Sequence, residues 1–90
     1  MRILGHIPHP AYQVTVFLRG EDHVVQFQAR GFVQSYRLPA AIHEDWQDLA
    51  RLFDATMMEE VRERFQAMGA SLQSALERHP PAGDQDASSD

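Results

Sequence analysis

The chain reads as an α+β domain: a three-stranded antiparallel β-meander, then a short helix and a long C-terminal helix packed on one sheet face. Three observations carry this reading. Residues 12–38 alternate apolar and polar side chains in three runs separated by turn residues. From Met58 onward, apolar residues recur at spacings of three and four. The length of 90 residues, with 43% hydrophobic and 23% charged, suits one soluble domain with one core.

Residues 2–10 read Arg-Ile-Leu-Gly-His-Ile-Pro-His-Pro. The alternate prolines deny this piece a helix and hold it extended. It is expected to lie along a sheet edge, or to cap one end of the core through Ile3, Leu4 and Ile7. The first strand is predicted at 12–19, with Tyr12, Val14, Val16 and Leu18 on one face. Gly20-Glu21-Asp22 is a turn signal. A second strand at 23–29 points Val25, Phe27 and Ala29 the same way. Arg30-Gly31 is the next turn, because glycine accepts positive φ. The third strand, 32–38, carries Phe32, Gln34, Tyr36 and Leu38 on the apolar face. A tight turn at Glu21-Asp22 sets Leu18 opposite Val25, Val16 opposite Phe27 and Val14 opposite Ala29. A turn at Arg30-Gly31 sets Ala29 opposite Phe32 and Val25 opposite Tyr36. All these partners share one face, and a one-residue slip would scatter them.

Pro39 ends the third strand. A short helix is predicted over roughly 44–53, with Trp46, Leu49, Ala50 and Phe53 on one face and Glu44, Asp45 and Asp48 at its positive end. The long helix starts at Thr56, where Thr56 and Glu59 form a capping box. Met58, Val61, Phe65, Met68, Leu72 and Ala75 make its apolar stripe, and His79-Pro80-Pro81 stops it. At about 33 Å this helix overhangs a sheet whose strands span about 20 Å. The domain is therefore expected over 1–79, and 80–90 reads as a disordered acidic tail without a large apolar group.

Composition excludes several functions. The formal net charge is −5, which excludes a generally basic nucleic-acid-binding domain but not a local basic patch. Cysteine is absent, so disulfides, thiolate chemistry and Cys-based zinc sites are excluded. Lysine and asparagine are absent too, and all eight basic residues are arginine, which points to a G+C-rich genome. Residues 1–42 carry four arginines against Glu21 and Asp22, whereas residues 43–90 carry four against eleven carboxylates. No apolar run approaches the roughly 20 residues that span a bilayer, and the N-terminus does not read as a signal peptide. These features point to a cytoplasmic protein.

One resemblance appears. The opening Ile3-Leu4-Gly5-His6-Ile7-Pro8-His9-Pro10, the strand Gln13-Val14-Thr15-Val16-Phe17, then Phe27 with Ala29, and Gln34 with Tyr36-Arg37-Leu38 look similar to a small uncharacterised bacterial protein family. The likeness covers about Arg2 to Leu76. It implies a compact β-meander with helices, and no activity, cofactor or partner.

No catalytic constellation is legible. The five glycines never cluster into a phosphate loop, and no serine sits in a Gly-x-Ser-x-Gly elbow. His6 and His9 sit three apart in an extended segment, where they point to opposite faces. No cofactor, no metal and no enzymatic activity are expected. The outer sheet face should present Phe17, Arg19, Gln26, Arg30, Val33 and Arg37, and Met57, off the helix stripe, should be exposed. These seven residues are the candidate interaction surface. The favoured reading is a homo-oligomer or protein-partner module, using the long helix, a sheet edge or both. Covering a further ~600 Å² of apolar surface would contribute about 15 kcal/mol gross, much of it offset by association costs. The alternative is a weak binder of single-stranded nucleic acid through Phe17, Arg19, Gln26, Arg30 and Arg37.

Overall fold

The structure of the protein, a computed structural model, describes residues 1–43 and 45–80. Four strands, β1 (Arg2–Ile7), β2 (Gln13–Arg19), β3 (Asp22–Ala29) and β4 (Phe32–Pro39), form one antiparallel sheet in chain order. A 3₁₀ helix (Trp46–Arg51) and a long helix, α1 (Ala55–Arg78), follow. The α+β class and the meander stand, but the sheet has four strands rather than three. The extra strand is the proline-rich opening. Pro8 and Pro10 lie after β1 and end it rather than shape it. A β-bulge at Leu4, between the pairs Ile3–Phe17 and Gly5–Val16, breaks the two-residue alternation that marks a strand. The apolar positions 3, 4 and 7 therefore carry no period of two.

The core is the shared interior of sheet and helices. Val14, Val16, Val25, Phe27, Leu49, Val61 and Phe65 are its buried apolar residues. Phe27 meets the Tyr36 and Phe53 rings edge-on, and Tyr12 lies against Phe65. The register between β3 and β4 pairs Ala29 with Phe32 and Val25 with Tyr36, as the Arg30-Gly31 turn dictates. Both turn residues have positive φ, 48° and 88°, the requirement of the hairpin turn that matches strand twist.

The register between β2 and β3 differs from the expected one. Val16 pairs with Val25, Val14 with Phe27 and Leu18 with His23. The turn is Gly20-Glu21, with Gly20 at φ 62° in the first central position. A shift of two residues in the pairing keeps every side chain on its face, so the alternation alone cannot detect it. Turn geometry chooses between the two pairings.

The helices begin differently as well. Trp46–Arg51 is a 3₁₀ helix capped by Asp45, whose side chain accepts from the Gln47 amide. Trp46 and Leu49 face inward while Ala50 is exposed, so the expected α-helical face is not formed. The Trp46 ring lies on Gly5: a Cβ there would meet the indole at 2.5 Å. Gly5 therefore provides the flat spot that seats the ring. In α1, Asp54 rather than Thr56 is the cap, and its carboxylate accepts from the Met57 amide at 2.9 Å. Glu59 is then free of a capping role. It accepts from Arg62 at 2.7 Å on the solvent side, and that hydrogen bond holds its carboxyl below the ordinary carboxylate range. The helix stops at Arg78, before Pro80. The acidic tail, in 81–90, and Glu44 lie outside the described residues.

Candidate interaction surface

The sheet register lays out the face that, among the described residues, no helix covers. One row across it reads Ile3, Phe17, Val24 and Arg37, and the next reads His6, Thr15, Gln26 and Ser35. Phe17 and Gln26 are thus neighbours, half-buried among their cross-strand partners. Arg37 joins them at the β4 edge, but its guanidinium is bound to Asp22 at 2.6 Å, which matches its charge. Arg19 lies at one end of the sheet. Arg30 and Val33 lie at the other, around the second hairpin turn. Met57 is not part of this face. It is half-buried and packs on the core from the first turn of α1, beside Met58. The expected surface therefore divides. Phe17, Gln26 and Arg37 cluster, Arg19, Arg30 and Val33 are peripheral, and Met57 stands apart on α1, half-buried. A base-stacking platform uses two or three aromatic rings, and this face offers Phe17 alone.

A second surface lies on the other side, where α1 leaves the sheet. The helix is 24 residues long, about 36 Å, against about 26 Å for the eight residues of β4. Val61 and Phe65 are buried beneath it, but Leu72 is 49% and Leu76 43% exposed. Beside them runs an open groove of about 650 Å³ between α1 and the β4 edge, floored by Phe32 and Met68 and bounded by Gln34 and Arg64. From Phe65 through Leu76 the chain carries no charged residue on any side of the helix. A helix solvated on its outer faces ordinarily carries charge there, whereas depletion of charge marks the centre of an interface.

The rim of the groove is tied together by hydrogen bonds. Gln34 is buried, donates through Nε2 to the Val61 carbonyl at 3.0 Å, and accepts through Oε1 from the Tyr36 hydroxyl at 2.9 Å. Arg64 donates to Gln34 Oε1 and to the Tyr36 hydroxyl, with its guanidinium 5.8 Å from the Tyr36 ring centre. This network ties β4 to the covered half of α1. The sequence places Gln34 on the apolar face but does not reveal its bonds to Val61 and Arg64, because those partners are far apart in the chain. The missing charge over residues 65–76 was available as a signal for Met68, Leu72 and Leu76.

Two buried ring nitrogens, His23 Nδ1 and His43 Nδ1, have no hydrogen-bond partner among the described residues. His23 belongs to the apolar face, between Leu18 and Leu38, and borders a cleft with Arg2 and Trp46. Its Nδ1 is sealed from that cleft. Among the described residues, no three His, Asp or Glu side chains converge on a metal position, and no helix is long and apolar enough to cross a membrane. Comparison with protein-family models, with curated proteins and with solved structures finds no match for this chain.

Proposed function

We propose that this protein is a small non-enzymatic interaction module that self-associates, with the second half of α1 and the groove beside β4 as its contact surface. One observation carries the reading. An apolar stripe continues past the sheet that covers its first half, into a stretch of helix that has no charge. The small residues there, Ala67, Gly69, Ser71 and Ala75, let another helix approach closely. A second copy suits the surface because neutral stretches can meet without repulsion, although each chain carries a net charge of −5.

Sedimentation of the purified chain tests this. The expected result is a dimer at micromolar concentration, and Leu72→Glu should yield a monomer with an unchanged circular dichroism spectrum. A folded wild-type monomer at high micromolar concentration would reject the reading.

A further inference from the structure

We propose that the cleft between the second hairpin turn and the middle of α1 binds a small aromatic carboxylate, with Arg30 taking the acid group and the Tyr12 and Phe32 rings flanking the flat body. This is a second site, separate from the exposed half of α1, and it does not depend on self-association.

The cleft has a volume of about 500 Å³, within the range of small-molecule sites. Its apolar walls come from three elements distant in the chain: Tyr12 ahead of β2, Phe32 at the start of β4 and Phe65 on α1. Ala29, the β3 partner of Phe32, supplies only a methyl group there, which leaves room beside the rings. Tyr12 is held by two other rings. Its centre lies 5.3 Å from that of Phe65 and 5.1 Å from that of His9, which stacks on it nearly parallel. The Ala11 amide donates to His9 Nδ1 at 3.0 Å and so orients the His9 ring. The proline-rich arm after β1 thus supports one wall of the cleft. A wall ordered before the ligand arrives lowers the entropy cost of binding.

Charge selects the ligand. The guanidinium groups of Arg30 and Arg62 border the cleft, and among the described residues no carboxylate lines it. Arg62 donates to Glu59 through Nε and Nη2, so its charge is matched. Arg30 has no ion-pair partner among the described residues. One unmatched positive charge beside aromatic walls suits a flat monoanion, and the guanidinium fork fits a carboxylate. The backbone supports the same choice. Arg30 has φ 48°, in the left-handed region where a residue with a side chain is strained. Glycine would satisfy this turn without that strain. What arginine adds is its guanidinium.

The test is an amide NMR titration of the whole chain at low salt, with cinnamate as the probe. The expected result is a saturable shift of the Tyr12, Arg30, Gly31, Phe32 and Gln66 amides. Cinnamyl alcohol, which keeps the flat body without the charge, should bind about tenfold more weakly or worse. Arg30→Gly should weaken cinnamate binding about tenfold while leaving the thermal midpoint unchanged or higher, because the strain leaves with the side chain. Arg19→Gln removes the same charge at the other end of the sheet and should change binding by no more than about twofold. The assignment is overturned if cinnamyl alcohol binds as well as cinnamate, or if Arg19→Gln weakens binding as much as Arg30→Gly. Absence of a saturable shift at these amides overturns it too, whether the chain is a monomer or a dimer.

Discussion

In α1, Val61 and Phe65 are buried against the sheet, while Leu72 and Leu76, further along the same side, stand close to half exposed. The first half is surrounded by charge: Glu59, Glu60, Arg62, Glu63 and Arg64 occupy its other faces. The second half has none before Glu77. A helix resting on its own sheet needs one apolar side and is free to be charged elsewhere. A stretch without charge on any side is suited to being enclosed. The difference teaches that an apolar stripe records where burial is needed, and that the residues flanking it record how much of the circumference will be covered.

The sharpest way to break this comparison is to truncate one side chain in each half. Phe65→Ala should cost about 3–5 kcal/mol in urea unfolding, the loss typical of a buried aromatic. Leu72→Ala should change the stability of the dilute chain by less than about 1 kcal/mol, because its partner atoms are absent there. Equal losses would mean that both halves are covered within one copy.

A second, smaller effect sharpens the boundary between the halves. Gln34→Ala removes the clamp between β4 and the Val61 carbonyl and takes away the acceptor of the Tyr36 hydroxyl and of Arg64 Nε, while Arg64 Nη2 keeps the Tyr36 hydroxyl. It should cost roughly 1–3 kcal/mol in the same measurement. A neutral result would mean that apolar packing alone holds the covered half in place.

The smallest expected effect lies at the start of α1. Asp54→Ala should cost about 1 kcal/mol, and Thr56→Ala should cost a few tenths at most, read as a difference in thermal midpoint. The reverse order would place the cap at Thr56.

Much of the fold is legible in particular residues. Val14, Val16, Val25, Phe27 and Tyr36 show their common face through alternation, and Arg30-Gly31 shows its turn through glycine. β1 was hidden because the bulge at Leu4 displaces its apolar residues from the period that identifies a strand. The position of the Gly20 turn is not legible in the pattern, because alternation is blind to a shift of two. The interaction surface was legible only in outline. The overhang of α1 and the open edges follow from lengths, but the groove joins Phe32 to Met68 and Leu72, residues that only folding brings together.

What the sequence by itself determined is orientation: which side chains of each strand and of α1 point toward a core. That follows from backbone geometry, which repeats every two residues in a strand and every 3.6 in a helix. Only the tertiary structure decided coverage. Phe65 is buried and Leu72 is not because the sheet beneath α1 ends between them, and the reach of a sheet is set by strands distant in the chain.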